Sequence, residues 1–295
     1  MAGWTLEDIP WSEFDAGRVD PDLLCLAKTA SLVEYNSADY AAYLSNVFHD
    51  DPRFRKAVAN WEVEERRHGE ALARWAAMAD PSFDFEASFA AFVAAFRLPL
   101  EARQSVRGSR TGELIARCMV ETGTHCYYTA LADRADEPVL KAICRRIAED
   151  EAAHYALFHR AMRRYQAKER LGLAQRIAVA LARMTEIEDD ELAQAFHAAN
   201  ELGRPYDRRT SSRAFSRLAV GCYRARHVSR MAEMMCMAVG FDPAGATGKV
   251  VTGIARRTIE FYFMRRSGGH AANLRARCGE GPAGTPPPPS DKRAA

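Results

Sequence analysis

The chain has 295 residues, a formal net charge of +2 and an apolar fraction of 48%. That length can bury one large core or two smaller ones, and the near-neutral balance gives no electrostatic reason to expect a nucleic-acid partner. Seven cysteines without a Cys-x-x-Cys pair exclude a zinc ribbon or a rubredoxin-type iron site and suit reduced thiols in a cytoplasmic protein.

Residues 1–20, with Trp4, Pro10, Trp11 and Gly17, predict an irregular arm packed by its aromatics; Met1 to Asp8 lack the basic-then-apolar pattern of a signal peptide. Asp20-Pro21-Asp22 opens a first helix that runs to about His49, the acidic residue capping and Pro21 in the first turn. A second helix runs from Pro52 to about Met78 and stops before Asp80-Pro81. Phe83, Phe85, Phe89, Phe92 and Phe96 predict an amphipathic helix within residues 82–97. A third long helix starts near Ser109 or Thr111 and ends about Ala135, and a fourth runs from Pro138 to about Gln166. Further helices follow over 168–266, broken at Gly203-Arg204-Pro205 and Gly240-Phe241-Asp242-Pro243. No run of about 18 apolar residues predicts a transmembrane segment. The expected organisation is an arm (1–20), a helical bundle (21–167), additional helices packed on it (168–275) and a disordered tail (276–295) that carries Pro286 to Pro289.

Two copies of one pattern sit on the second and fourth helices: Glu64-Glu65-Arg66-Arg67-His68 and Asp150-Glu151-Ala152-Ala153-His154. Residues three apart share a helix face, so each Glu-x-x-His pair can converge on one point. A lone glutamate precedes each copy, Glu34 by 31 residues and Glu121 by 30. On one straight helix those partners would stand roughly 45 Å apart at ~1.5 Å per residue. They can share a site only if the chain folds back. Asp51-Pro52 and Glu137-Pro138 each lie 13 residues before their Glu, counted from the proline, and read as the same turn used twice. An internal duplication of a helical hairpin follows. Glu34, Glu65, His68, Glu121, Glu151 and His154 then form the ligand set with which a four-helix bundle holds two iron or manganese ions. Two divalent ions would neutralise four carboxylates that could not otherwise stay charged in a core.

The run Trp61-Glu62-Val63-Glu64-Glu65-Arg66-Arg67-His68-Gly69 resembles the second metal-binding helix of the soluble acyl-acyl-carrier-protein desaturases. Glu121-Thr122-Gly123-Thr124 is similar to the Glu-x-x-Thr of their third helix, and Asp150-Glu151-x-x-His154 to their fourth. The resemblance covers about residues 22–165 and is more specific for the ferritin-like di-iron superfamily than for the desaturases within it. It implies an all-α fold, a ferritin-like four-helix bundle with additional C-terminal helices. It also implies two Fe ions, with Mn admitted, bridged by Glu65 and Glu151 and flanked by Glu34 and Glu121, and Thr124 on the oxygen-binding side.

Glu64 and Asp150 point about 100° away from the Glu that follows each. A crossed arrangement is expected, Asp150 orienting His68 and Glu64 orienting His154; a pair of charges on a solvated face is the other reading. Trp61, one turn before Glu65, is expected to pack beside the site. Thr124 either faces the cavity or bonds to the backbone one turn earlier. His125, four residues past Glu121, is a candidate extra ligand or a satisfied polar neighbour. Tyr35, Tyr127, Tyr128 and Tyr155 read as core or as redox relays. Arg213, Arg217 and Arg224 have the spacing of one helix face, either a solvated surface or a dock for an acidic carrier protein or a coenzyme phosphate. Phe83 to Phe96 and Met231 to Met237 could line an acyl tunnel or fill the core.

The function expected is di-iron oxidase or oxygenase chemistry with dioxygen. A small molecule or a carrier-bound fatty acyl chain is the substrate, a ferredoxin-type protein donates electrons, and a homodimer is allowed. Amine N-oxygenation, aldehyde deformylation, or iron storage with peroxide scavenging are the alternatives.

Overall fold

The computed structural model describes residues 3–185 and 190–266. Those residues contain helices and no strand: α1 (Pro21–Tyr35), α2 (Ser37–Val47), α3 (Pro52–Ala79), α4 (Phe85–Ala95), α5 (Arg110–Arg134), α6 (Pro138–Glu169), α7 (Leu173–Thr185), α8 (Asp190–Asn200), α9 (Arg208–Cys222), α10 (Ala225–Ala238) and α11 (Ala246–Arg266). The N-terminal arm winds through three short 3-10 turns, Leu6–Asp8, Trp11–Glu13 and Ala16–Arg18. The expected tail, Cys278 and His270 lie outside the described residues.

The hairpin turns are built alike. Asp51 accepts from the backbone N–H of Phe54 at the start of α3, and Glu137 accepts from those of Val139 and Leu140 at the start of α6, each with proline as the first helical residue. Each acidic side chain satisfies donors that the first helical turn leaves open. Glu137 also accepts from the Trp75 indole at 2.7 Å, so the α6 cap is tied to the end of α3.

The expected single first helix is two. The chain leaves α1 at Asn36 (φ −78°, ψ 14°) and re-enters a helix at Ser37. Asn and Ser compete with the helical backbone for hydrogen bonds, and here the Ser37 hydroxyl donates to the Glu62 carbonyl of α3 at 3.2 Å. The break redirects α2 just after Glu34.

The bundle is α1 packed on α3, α5 packed on α6, and α3 facing α6. The additional helices close its open side, α7 and α10 against α5, α8 against α1. The later turns use glycine where left-handed backbone is needed, Gly203 at φ +89° and Gly240 at φ +97°.

Apolar residues form two layers along the bundle. One holds Val58, Trp61, Leu114, Ile115 and Phe158 and extends to Val228 and Met231 of α10. The other holds Leu26, Leu72, Trp75, Tyr128, Leu131 and Ile143. Complete burial of each large apolar side chain contributes about 1.5–3 kcal/mol. On α3 the first layer ends at Trp61 and the second begins at Ala71, and the gap between them carries Glu65 and His68.

Gly69 sets the approach of α1 to α3 at this gap. A Cβ there would lie 2.7 Å from the backbone N of Tyr35 and 2.9 Å from its Cα. An alanine would ordinarily favour a helix over glycine by about 0.5–1 kcal/mol, but the clash is with backbone and cannot rotate away. Gly69→Ala should therefore lower stability by about 1–3 kcal/mol, read as a drop in the urea midpoint. An unchanged or raised midpoint would refute this packing.

Candidate metal centre

Four helices bring six side chains to the gap: Glu34 from α1, Glu65 and His68 from α3, Glu121 from α5, Glu151 and His154 from α6. All six are buried, none more than 6% exposed. Glu34, Glu65, His68 and Glu151 each offer an atom within 4.8 Å of the others, and so do Glu65, Glu121, Glu151 and His154. The two sets share Glu65 and Glu151. This is the geometry of two adjacent cation positions with two common carboxylates.

The loose contacts inside the cluster bear on whether metal fits. His68 Nδ1 lies 3.4 Å from Glu151 Oε1 and 3.6 Å from Glu34 Oε2. His154 Nδ1 lies 3.1 Å from Glu65 Oε1 and 3.8 Å from Glu121 Oε2. Neither Nδ1 nor Glu151 Oε1 has a hydrogen-bond partner. Buried polar atoms left in this way are rare and cost about 1–3 kcal/mol each. Cations among them would satisfy all three. Carboxylate and imidazole donors suit iron and manganese.

The outer nitrogens are held. His68 Nε2 is 3.0 Å from Asp150 Oδ2 and His154 Nε2 is 2.8 Å from Glu64 Oε2, each pair crossing between α3 and α6. A carboxylate at Nε2 fixes the proton there and leaves the Nδ1 lone pair for a cation. Asp150 is itself held by the arm: the Trp4 indole N–H donates to Oδ2 at 2.7 Å, and the Trp4 ring stacks on His68 at 5.9 Å between centroids. Nothing in the sequence spacing marks Trp4 for this position.

One face of α5 carries the remaining polar contacts. Arg117 Nη2 donates to Glu121 Oε1 at 2.7 Å, and the Tyr128 hydroxyl donates to Glu34 Oε1 at 2.6 Å. The Thr124 hydroxyl faces Glu151 Oε2 at 2.6 Å and also lies 3.3 Å from the Val120 and Glu121 carbonyls, so both sequence readings of it hold. Trp61 packs edge-on to His154 and Phe158. Arg117 and Tyr128 escape a search for ligand spacing, although each sits on the helix face of Glu121, four residues before it and seven after.

The structure does not bring His125 to the cluster, which corrects the expectation of an extra ligand. Its Nδ1 lies 2.7 Å from the Ala148 carbonyl of α6, an acceptor that the close α5–α6 packing puts within reach. Arg224 likewise leaves the expected basic face: α9 ends at Cys222, and Arg224 starts α10 with its guanidinium on the Asp133 carbonyl.

A cavity of about 240 Å³ opens against the cluster. Glu34, Thr124 and Tyr128 line its inner end, and Met119, Phe215, Val220, Tyr223, Met231 and Phe263 are among the residues that make its walls mainly apolar. Met231 and Met235 thus face the cavity, whereas the phenylalanines of α4 do not. Phe92 instead fills a small core with Leu32 and the alanines of α8. A narrower space of about 70 Å³ continues past Thr124 to Glu65, Glu121 and Glu151.

Protons balance the charges in the metal-free cluster. Burial, then the Glu65 charge, raises the Glu34 carboxyl well above its ordinary range. Burial raises Glu121 as well, against the opposing Arg117 charge. Burial would also raise Glu65 and Glu151, and the Glu65 charge adds to it at Glu151, but the groups facing them outweigh this and lower both: Glu34, His154 and His68 beside Glu65, and the two imidazoles beside Glu151. Both histidines are raised well above the usual imidazole range. Burial opposes their charge but is outweighed by Asp150, Glu151, Glu34 and Glu65 around His68, and by Glu151, Glu64 and Glu65 around His154.

Residues 114–232 match the Rubrerythrin family model, a ferritin-like di-iron domain. The match spans α5 to α9 and part of α10, including Glu121, Glu151 and His154, and does not reach Glu34, Glu65 or His68. It supports the ferritin-like superfamily and indicates a di-iron carboxylate protein, which the buried acid and histidine cluster fits. No curated protein matches the chain.

The raised groups hold protons that a cation must displace. Binding of a divalent ion should therefore release acid near neutrality and weaken as the pH falls, because His68, His154, Glu34 and Glu121 keep their protons more firmly there. Adding manganous ion to metal-free protein in weak buffer should acidify the solution. A pH-independent affinity without acid release would contradict the assigned protonation.

Proposed function

We propose that this chain is a dioxygen-using di-iron oxidase or oxygenase, with Glu34, Glu65, His68, Glu121, Glu151 and His154 as its metal ligands and an apolar organic molecule as its substrate. Glu65 and Glu151, common to both candidate positions, would help to hold both ions. The observation that carries the reading is the apolar cavity that reaches the cluster at Glu34 and Thr124. A cluster that only stores iron has no use for such a space.

Bound iron would supply the electrons and the open position that dioxygen needs. The chain's own residues do the rest. Asp150 and Glu64 hold the histidines, Thr124 holds Glu151 at the boundary between cluster and cavity, and the walls from α5, α9, α10 and α11 keep water from the substrate. An acyl chain presented on an acidic carrier is the substrate class we favour. α9 lines the cavity with Phe215, Ser216, Ala219 and Val220, and its outer face exposes Arg209, Arg213 and Arg217 at four-residue spacing. In desaturation, dioxygen would take two hydrogens from the chain, two electrons from a ferredoxin-type donor and two protons, and leave as two waters. No helix among the described residues is long and apolar enough to cross a membrane.

The Rubrerythrin match favours a second reading, reduction of peroxide at the same centre. The two differ in the organic co-substrate.

Protein loaded anaerobically with ferrous iron should bind close to two equivalents, and replacing Glu65 and Glu151 together with alanine should abolish this. Undiminished stoichiometry in the double variant would refute the ligand assignment. The reduced protein should consume dioxygen faster as carrier-bound acyl chains lengthen, since each buried methylene contributes about 0.8 kcal/mol. The rise should level off early, because the cavity is smaller than the roughly 300–1,000 Å³ of drug-sized sites. A flat response with rapid turnover of peroxide would favour the second reading, and strong turnover of an arylamine would favour N-oxygenation.

A further inference from the structure

The two halves of the cluster differ at their terminal carboxylates. On one side Glu34 Oε1 accepts from the neutral hydroxyl of Tyr128, and on the other Glu121 Oε1 accepts from the guanidinium of Arg117. Arg117 is held in place. Its guanidinium lies over the Trp61 ring at 4.7 Å and near those of Phe158 and Tyr40, its side chain is 9% exposed, and its Nε has no partner. Among the described residues no lysine or arginine is ion-paired with Glu34.

Charge counting separates the halves. The position between Glu34, Glu65 and Glu151 would see three carboxylates, whereas that between Glu121, Glu65 and Glu151 would see three carboxylates and one fixed cation touching Glu121; Arg183 and Glu191 line the space beside both with opposite charges. In a buried site that difference is screened little. Beyond those six side chains, Asp150 has Arg67 at 3.5 Å, whereas Glu64 has no arginine or lysine partner among the described residues but is 38% exposed, so water screens it. The Arg117 bond also occupies one oxygen of Glu121 and leaves Oε2, the atom nearer His154 Nδ1, to face the cation position.

We propose that Arg117 is a positioning residue that makes the two metal positions unequal: it holds Glu121 as a one-oxygen ligand and disfavours the cation beside it, so the half formed by Glu34 and His68 fills first. This rests on the di-metal centre proposed above and adds an order of filling that the ligand set alone does not impose.

The test is titration of the metal-free full chain with cobaltous ion alone, followed by absorption and calorimetry. The wild-type protein should take up two equivalents in two resolved steps. The singly loaded spectrum should match that of His154→Ala, which retains the Glu34 and His68 half, and differ from that of His68→Ala. Arg117→Gln keeps a donor for Glu121 without the charge, and should shrink the ratio of the two stepwise constants by about tenfold or more, a modest share of what a unit charge close to a divalent ion can exert. Arg117→Lys keeps the charge and should keep the steps apart. Two equivalents bound by Arg117→Gln with the wild-type ratio would overturn the role of Arg117 and leave the centre standing. If Arg117→Gln does not fold, collapse of the two steps in Arg117→Lys would overturn it equally. Failure of the wild-type protein to bind two equivalents would remove the centre, and this inference with it.

Discussion

Four carboxylates and two imidazoles are buried together between two apolar layers, and the rest of the structure answers to that fact. An isolated ion in such a place costs several kcal/mol even after relaxation. The cluster therefore exists only with compensation in kind. Without metal the compensation is protonic, with Glu34, Glu121 and both histidines all raised toward holding their protons. With two divalent ions it would be metallic. The polar gap on α3 is short, and the apolar residues on either side, Trp61 and Ala71 onward, hold the helices together strongly enough to keep it.

Holding these side chains is a separate task from supplying them. His68 and His154 are fixed from outside by carboxylates on the opposite hairpin, so α3 and α6 lock each other. Gly69 lets α1 come close enough to place Glu34, and the break at Asn36 ends α1 just past it. Trp4 extends the same logic to the arm: its indole donates to Asp150, which holds His68, so the N-terminal segment completes the centre and is more than a surface wrap. Each contact narrows where a nitrogen or oxygen can point, which is what a preorganised site requires.

The sequence shows what repeats and hides what is singular. Two Glu-x-x-His pairs, their upstream glutamates and two acid-proline turns state a duplicated hairpin, and the structure places those six residues in one cluster because helical periodicity and chain reversal leave few alternatives. The helix starts at Pro21, Pro52 and Pro138 follow from capping chemistry, which is local. Trp4, Arg117 and Tyr128 carry no such signature. Their roles depend on distances across the fold: 146 residues separate Trp4 from Asp150, and 94 separate Tyr128 from Glu34. His125 misled for the opposite reason. Its spacing from Glu121 is right for a ligand, but the neighbouring Ala148 carbonyl takes its nitrogen. The division of the first helix at Asn36 depended on a tertiary bond from Ser37 to α3, which local propensity could not show.

The reading of function turns on where the added helices meet the bundle. A four-helix bundle alone can bury a di-metal cluster, and α5 would then need only an outer face of ordinary polarity. Instead α5 carries Met119, Val120, Gly123 and Tyr127 toward a cavity that α9, α10 and α11 complete. Gly123 has nothing within 4 Å of where a Cβ would be, so the wall is open at that point, between Glu121 and the hydroxyl of Thr124. An apolar molecule there would lie against Thr124, whose hydroxyl faces Glu151, and against Glu34 of the cluster itself. The cluster and the cavity thus meet at Glu34 and Thr124, and that shared border is the physical argument for oxidation of an organic substrate over storage of iron.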